Sequence, residues 1–408
     1  MTLELESPPP DVRRAPSLHD RMLANFRLAR ESYVRHHRSR HWDLFPPDYE
    51  ARLGDESLWP DFRRNGLTRG FGTSRGAPDT PDDTLDSRAA GKLVAAFDGL
   101  VGITGFEFVR DYHEARIGRP VALEHRGLLL DRNDLRLVHD TWEIVRHLGL
   151  PADAAPTFVE IGGGHGGLVA KLKRRWPRAR CIILDLPEVN AVQTHYLSTA
   201  FPGARLLLYS EFLAGGAKAL SGEFDFAILP GWTADQLRDE SADLVMNTRS
   251  MQEMNRETIG FYFDRIHRFL RPGGLFYCVN RYTKSTVGEP IRIKDFPFDD
   301  RWHIQVSRPS FDQPWIHELI AVRSTMPVVP APASTLAALP PYRLADVGTG
   351  LATAIRRLFA IIFGDHPNIN PGIPGTLRNA RVALERGLVA WVRGRPGLRA
   401  GLKKLLRR

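Results

Sequence analysis

The sequence predicts an α/β protein organised around a mostly parallel sheet, and two observations lead to this expectation. Between residues 157 and 325, short apolar runs alternate with helical patterns, an order typical of parallel strands joined by crossover helices. A glycine-rich turn follows the first of these runs. Of the 408 residues, 43% are hydrophobic and 25% are charged, so the chain can bury a core and is not disordered throughout.

The alternating region divides into strands and helices in a regular order. Apolar runs predict strands at residues 157–161, 180–184, 204–209, 224–229, 243–247 and 275–280. Helical periodicity predicts helices at residues 167–176, 188–199 and 256–270. Two later runs, 303–306 and 317–322, have no helix between them. We expect this pair to close the sheet in antiparallel orientation.

Different patterns flank this domain, which we place at residues 151–325. Residues 1–150 are predicted to be mostly helical, with helices at 17–40 and 133–148 and a loop rich in Gly and Pro between them. Five prolines fall within residues 325–343, so we assign residues 326–343 as an extended linker. Residues 344–408 are predicted to form a basic helical tail.

The positive charge of the chain is concentrated in that tail. The net charge is +9, and residues 376–408 contain ten Lys or Arg against one Glu. The other residues are therefore neutral overall, which argues against a nucleic-acid-binding protein. A basic amphipathic segment suits the surface of an anionic membrane. Packing against the rest of the chain or against a second subunit is left open, as is the oligomeric state.

The cysteine count and the apolar runs exclude several other classes. Cys181 and Cys278 are too few for a disulfide scaffold or a four-thiolate zinc site. The N-terminus has no basic segment followed by an apolar one, so we expect no secretory signal. The best apolar run, 351–363, contains Arg356 and Arg357, so we expect no membrane span. We therefore expect a cytoplasmic protein, with contact at the inner membrane face left open.

The glycine-rich turn predicts a nucleotide-type cofactor. Gly162, Gly164 and Gly167 fit G-x-G-x-x-G, whereas Glu160 with Gly162, Gly164 and Gly166 fits E-x-G-x-G-x-G. The first pattern is that of NAD-binding folds, so both alternatives stay open here. Asp185 ends the second strand, where a carboxylate can accept hydrogen bonds from both ribose hydroxyls.

Further segments give a resemblance to a known family. Residues 270–275 (LRPGGL) resemble the turn before the fifth strand of class I S-adenosylmethionine-dependent methyltransferases, and residues 185–187 (DLP) resemble small-molecule O-methyltransferases. Residues 117–120, 247–254 and 276–281 are similar to a bacterial sugar O-methyltransferase family. The resemblance covers roughly residues 105–325. It implies a Rossmann-like class I methyltransferase sheet, with the helical N-terminal region shaping the acceptor site.

The resemblance also implies roles for individual residues in binding S-adenosylmethionine. Glu160 is expected near the amino-acid portion, and Asp185 at the ribose. Leu186 is expected beside the adenine, while Trp232 either covers the adenine or belongs to the core. Asn247 is expected at the methionine moiety or the substrate. Close passage of the backbone past the cofactor is assigned to Gly162, Gly163, Gly164 and Gly166.

The residue expected to act as the general base follows the fourth strand. Plant-type O-methyltransferases have a His-Asp pair there, but this chain has Gln252 and Glu253. We predict Glu253 as the general base; its alternative role is a carboxylate at a helix N-terminus. His165 in the glycine-rich loop is the second predicted catalytic residue; it is expected to face the donor or the substrate, and its alternative role is a solvent-facing loop residue. Arg249 and Arg281 are predicted to bind a phosphate or sugar hydroxyls.

The expected activity is methyl transfer from S-adenosylmethionine to a hydroxyl of a sugar or glycan precursor. The alternatives are an NAD-dependent sugar oxidoreductase and a non-catalytic S-adenosylmethionine-binding scaffold protein. The sequence contains no H-E-x-x-H or C-x-x-C motif, and no metal site is predicted. Dependence on a divalent metal is left open.

Overall fold

The computed structural model describes residues 16–33, 39, 48–65, 67, 85, 87–114, 116–284, 287–311, 313–329 and 331–339. The predicted basic tail at 344–408 lies outside these residues, and so does the end of the predicted linker. The prediction of a helix at 17–40 can be compared with the structure only as far as residue 33 and at residue 39. None of the helices within the described ranges is long and apolar enough to cross a membrane.

The described residues before the main sheet include several helices and one short hairpin. They contain α1 (Leu18–Glu31), α2 (Tyr49–Gly54), α3 (Ser87–Thr104), α4 (Phe106–Tyr112), the hairpin β1 (Leu123–His125) and β2 (Leu128–Leu130), and α5 (Arg132–Leu148). A capping box between Ser17 and Asp20 begins α1, and Gly149 ends α5 in the left-handed conformation.

The main sheet has eight strands, and helices connect most of its parallel strands. Its strands are β3 (Thr157–Ile161), β4 (Arg180–Asp185), β5 (Leu206–Leu207), β6 (Phe226–Pro230), β7 (Ala242–Thr248), β8 (Leu270–Arg281), β11 (Trp302–Ser310) and β12 (Gln313–Arg323). The small pair β9 (Thr283–Lys284) and β10 (Ile291–Arg292) lies apart from it. The helices of this region are α6 (Gly167–Arg175), α7 (Pro187–Ala200), α8 (Tyr209–Gly215), α9 (Arg256–Phe269) and α10 (Pro332–Ala337).

The strand order confirms the predicted Rossmann-like fold. The spatial order is β11-β12-β8-β7-β3-β4-β6-β5, and β12 is antiparallel to both of its neighbours. The six strands from β8 to β5 are parallel. The chain leaves β3 to one side toward β4 and later returns on the other side as β7. Ligands bind in such sheets at the carboxyl ends of the strands around this switch point.

Among the strands whose bounds differ from the predicted ones, two differ for identifiable reasons. The strand predicted at 275–280 begins at Leu270, because Leu270 pairs with Ala242 before the bulge at this end of β7. The strand predicted at 204–209 is only β5, two residues long. It stops there because the Glu211 carboxylate accepts a hydrogen bond from the Leu208 N–H and so begins α8.

Apolar residues are buried on both faces of the parallel strands. Phe158 packs in one cluster with α5, α6 and α7, and Val159 packs in another with α9. Burial on both faces is typical of a parallel sheet covered by helices. The carboxyl edge of the strands is thus the part of the sheet available for chemistry.

Candidate active site

The glycine-rich loop between β3 and α6 has a backbone that requires glycine. Gly162, Gly164 and Gly166 have φ of 71°, 57° and 94°, values that L side chains adopt only with strain. A Cβ on Gly162 would lie 2.0 Å from Ser250 Oγ, which follows β7. A Cβ on Gly163 would lie 2.9 Å from Glu160 Oε2. The loop is therefore packed tightly between the ends of β3 and β7.

Asp185 is fixed beside this loop by its neighbours. The Leu186 N–H donates to Asp185 Oδ1 at 2.8 Å, and Gln193 Nε2 donates to Oδ2 at 2.8 Å. The same Gln193 nitrogen also donates to the Gly164 carbonyl at 2.9 Å. Burial raises the pKa of Asp185 to about 7. Gln193 thus joins the predicted ribose-binding acid to the loop, a role that no local motif indicates.

Glu160 is a second carboxyl group at the same loop. Glu160 is 1% exposed. Its Oε2 lacks a hydrogen-bond partner among the residues the structure describes. Burial, and then the nearby Asp185, raise the pKa of Glu160 to about 8. A cationic group entering the site would favour the ionised form of this carboxyl group.

Asn247 connects three strands at this edge. Its Nδ2 donates to the Ile161 carbonyl at 2.8 Å and to Ser250 Oγ at 2.5 Å. Its Oδ1 accepts from the Met251 N–H at 3.2 Å and from Asn280 Nδ2 at 2.9 Å. The amide therefore holds β7 to β3 and β8. Its expected contact with a cofactor or substrate stays a prediction, and it would require one of these partners to be exchanged.

The residues expected at the adenine lie at the ends of β4 and β6. Leu186 is buried at 7% exposure, and Trp232 is half-buried in the turn after β6. The Trp232 ring packs edge-to-face against Tyr33 and Tyr209, with ring centroids 5.7 and 6.2 Å apart. Helix α1 packs against α7 nearby, so the N-terminal region borders this part of the site.

The two predicted catalytic residues have different surroundings. Glu253 forms an ion pair with Lys284 of β9, and its carbonyl accepts a hydrogen bond from Ser39. His165 is buried and packs edge-to-face against Tyr196 at 4.7 Å. Burial, and then the charge of Arg63, hold the pKa of His165 well below its usual range. Both catalytic roles stay predictions.

A polar cluster lies beside the ends of β7 and β8, where Arg249 and Arg281 were expected. Arg249 Nη1 donates to Gln313 Oε1 at 2.7 Å. The Tyr277 hydroxyl lies 2.9 Å from Asp140 Oδ1 and 3.0 Å from Glu318 Oε1. Asp140 belongs to α5. No local motif indicates its role, because its position depends on how α5 packs against the sheet. Within the described residues, no three His, Cys, Asp or Glu side chains are grouped to hold a metal ion.

Comparisons with known proteins point to one enzyme class. A family model described as an O-methyltransferase domain matches residues 135–205, which include most of α5, the glycine-rich loop and Asp185. A curated relative, (RS)-norcoclaurine 6-O-methyltransferase of Thalictrum flavum subsp. glaucum, is 26% identical over 106 residues. This alignment covers 26% of the chain and 27% of the relative, so the chain spans about a quarter of the length of the relative it matches.

Solved structures of methyltransferases are also similar to this chain, with low sequence identities and low TM-scores. A SAM-dependent methyltransferase from Aquifex aeolicus is 12% identical, covers 47% of this chain and 94% of its own, and has a TM-score of 0.30. Geranyl diphosphate C-methyltransferase from Streptomyces coelicolor A3(2) is 14% identical, with coverages of 48% and 78% and a TM-score of 0.33. At such scores, the fold assignment rests on the strand order of the chain itself.

Proposed function

We propose that the chain transfers a methyl group from S-adenosylmethionine to a hydroxyl of a sugar or glycan precursor. The main supporting observation is the pair of acids at the glycine-rich loop, of which Glu160 is buried and Asp185 is half-buried. Gln193 fixes Asp185 against the loop, and Oε2 of Glu160 has no hydrogen-bond partner in the described part of the chain. The O-methyltransferase family match at residues 135–205 includes both acids.

The charge of this site favours a cationic cofactor over NAD. In NAD-binding folds, an anionic pyrophosphate lies at the loop and the helix N-terminus that follows it. Here the Glu160 carboxyl group is directly beside Gly163, where an ionised carboxylate would repel a pyrophosphate. A sulfonium or ammonium group would instead be attracted. The antiparallel strand β12, next to β8, also departs from the six-strand order of dinucleotide-binding folds.

Each part of the site has a task in this proposal. Asp185 accepts hydrogen bonds from the ribose hydroxyls, and Glu160 faces the ammonium group of the amino-acid portion. The loop at 162–166 allows the ligand to approach its backbone, with Leu186 and Trp232 beside the adenine. When bound, S-adenosylmethionine supplies a methyl group on a positively charged sulfur.

The protein must then align the acceptor and remove its proton. The acceptor oxygen forms a bond to the methyl carbon, the carbon–sulfur bond breaks, and sulfur keeps the electron pair. We assign the hydroxyl proton to Glu253, which lies in an ion pair with Lys284. His165, held neutral by burial, is the second candidate. The polar residues Arg249, Arg281 and Tyr277 near the strand ends suit a hydroxyl-rich acceptor better than an apolar one.

A methyl-transfer assay tests this proposal. The purified protein would be incubated with S-adenosylmethionine carrying a radiolabelled methyl group and with matched panels of sugars, nucleotide sugars and phenols. The proposal predicts label in a sugar-containing product. Label in phenols alone would contradict the sugar acceptor. Binding of S-adenosylhomocysteine without transfer to any acceptor would favour the scaffold alternative.

A further inference from the structure

We propose that Arg136 of α5 and Arg249 after β7 form a buried anion-binding site that takes a carboxylate or phosphate group. The anion site itself does not depend on the proposed function. Only the identity of the molecule that carries the anion rests on it. It concerns the polar cluster beside β7 and β8, and it gives Arg136 a role that the sequence did not indicate.

The first observation is that both guanidinium groups have unused donors. Nε and Nη2 of Arg249 and Nε of Arg136 are buried, and none of the three has a hydrogen-bond partner among the residues described. The other contacts of these side chains are known: Arg249 Nη1 donates to Gln313, and Arg136 Nη2 donates to Asn133 Oδ1 at 2.6 Å. Buried donors without acceptors are costly. An anion between the two side chains would satisfy them.

The second observation is an excess of positive charge. Burial, and then the charges of Arg136 and Arg281, hold the pKa of Arg249 well below its usual range, while Asp140 opposes this shift. The carboxylate of Asp140 is already shared with Tyr277. Glu160, on which Arg136 also acts, has a pKa raised to about 8 by burial and by Asp185, so it is partly protonated near neutrality. The charged side chains that act on Arg249 are thus two further arginines, Arg136 and Arg281, and the acid Asp140.

The backbone at Arg249 supplies a third observation. Its φ is 69°, a left-handed conformation that is uncommon for residues other than glycine. The Arg249 N–H donates to the Val279 carbonyl at 2.6 Å, so pairing with β8 holds this conformation. Such local strain is concentrated at ligand-binding positions. In this conformation, Nε and Nη2 of the Arg249 guanidinium group are buried.

The anion could belong to either of two molecules. Both would present an oxyanion, a planar carboxylate or a tetrahedral phosphate, that accepts paired hydrogen bonds from arginine guanidinium groups. One source is the carboxylate of the amino-acid portion of the cofactor, because Arg136 acts electrostatically on Glu160 at the glycine-rich loop. The other source is an acidic group on the acceptor, because Arg249 follows β7, where the acceptor is expected.

The test uses the full chain and the variants Arg136→Gln and Arg249→Gln. The control is Arg178→Gln, which removes the same charge from an exposed side chain. Arg178 precedes β4, at the opposite end of the sheet, and donates to the Asp153 backbone carbonyl. Inorganic phosphate is the first probe, and its binding is measured by phosphorus-31 line broadening and by calorimetry. The site predicts binding to the unmodified protein and a loss of about tenfold or more in each of the two variants, with the control unchanged. Absence of phosphate binding would overturn the proposal. Equal phosphate binding by all four proteins would also overturn it, because the bound phosphate would then be an adventitious ion only.

Two further ligands identify the source. S-adenosylhomocysteine has the amino-acid portion, whereas 5′-methylthioadenosine lacks it. If the cofactor carboxylate is the anion, both variants weaken binding of the first ligand but not the second, and phosphate competes with the first. If the acceptor supplies the anion, phosphate binds the protein already saturated with S-adenosylhomocysteine. Phosphate binding by a protein that binds neither nucleoside would keep the anion site and refute the proposed function.

Folding of the variants is checked by circular dichroism. If a glutamine variant does not fold, Arg136→Lys and Arg249→Lys replace it, since lysine keeps the charge but cannot reproduce the paired donors of arginine. The anion site predicts that phosphate binding by these lysine variants is weakened. Unchanged phosphate binding would overturn the role of the guanidinium groups.

Discussion

At the scale of single residues, Asp185 gives the clearest prediction about cofactor binding. In Asp185→Asn, one carboxylate oxygen that receives hydrogen bonds is replaced by an amide nitrogen, which cannot accept from ribose or from Gln193. We expect the affinity for S-adenosylhomocysteine to fall by about tenfold to a hundredfold, measured by calorimetry. The matched control is Asp264→Asn on α9, whose side chain is 83% exposed. Equal affinities for the two variants would contradict the assignment.

The raised pKa values of Glu160 and Asp185 predict pH-dependent binding. With pKa values of about 8 and about 7, both groups are partly protonated near neutrality. A ligand that requires their ionised forms must displace these protons, so binding releases protons and strengthens as pH rises from 6 to 8.5.

Calorimetry at pH 7 in two buffers with different ionisation enthalpies measures the proton release directly. Glu160→Gln is expected to reduce the number of protons released, since glutamine does not titrate. Proton uptake, or a heat independent of the buffer, would show that the two acids are not ionised on binding.

Glu253 gives a prediction about the chemical step. Glu253→Gln is expected to lower kcat by about a hundredfold or more, because an amide cannot accept the acceptor proton, while cofactor affinity is retained. Glu289→Gln, which alters an exposed carboxylate paired with Arg256, is the control. An unchanged kcat for Glu253→Gln would move the role of base to another residue, with His165 as the next to substitute.

The residues visible in the sequence were those in local motifs. Glu160, Asp185 and the glycines of the loop could be identified because their spacing follows one strand–turn–helix unit. Gln193, Asp140 and Arg136 could not, because their roles depend on how α7 and α5 lie against the loop. A helical pattern indicates which face is buried, but it does not identify which polar side chain meets a partner from another element.

At the scale of structural elements, the contact between the β3 loop and the β7 end predicts a difference in stability. Gly162→Ala would place a Cβ within 2.0 Å of Ser250 Oγ at a φ of 71°. We expect the free energy of unfolding to fall by about 1–3 kcal/mol from overpacking and strain. Gly260→Ala, in α9 with nothing within 4 Å of the added carbon, should raise it by about 0.4–1 kcal/mol.

Urea denaturation of both variants measures these changes. A Gly162→Ala variant as stable as the unmodified protein would show that the loop can relax away from Ser250. It would also weaken the argument that these two strand ends are held in a fixed relation.

The bounds of the elements were predicted best where the local pattern was unambiguous. The strand at 157–161 and the start of the helix at 167 agree with β3 and α6. The predicted strands at 204–209 and 275–280 differed from β5 and β8, because a helix cap shortens the first and long-range pairing with β7 extends the second. Local periodicity contains no information about either contact.

At the scale of the whole molecule, the parallel arrangement could be predicted because helical patterns separate several of the strands. The antiparallel closing pair was also predicted, since two strands without a helix between them can only pair closely in that way, and β11 and β12 confirm it. The placement of α1 against α7 and α8 had no counterpart in the sequence pattern.

The concentration of positive charge in residues 376–408 leads to a prediction about membrane binding. We propose that this segment contacts anionic membrane surfaces. Co-sedimentation with vesicles containing phosphatidylglycerol should show binding that disappears in vesicles of phosphatidylcholine alone and at high salt. Glutamine in place of Lys403, Lys404, Arg407 and Arg408 should weaken it. Equal binding to neutral vesicles would contradict an electrostatic contact.

The central claim is that the glycine-rich loop and its two acids bind S-adenosylmethionine rather than a nicotinamide cofactor. Calorimetric titration of the purified chain with S-adenosylhomocysteine and, separately, with NADH tests this most directly. Our account predicts saturable binding of S-adenosylhomocysteine and no binding of NADH. Binding of NADH by a folded protein that does not bind S-adenosylhomocysteine would contradict it and would support the oxidoreductase alternative.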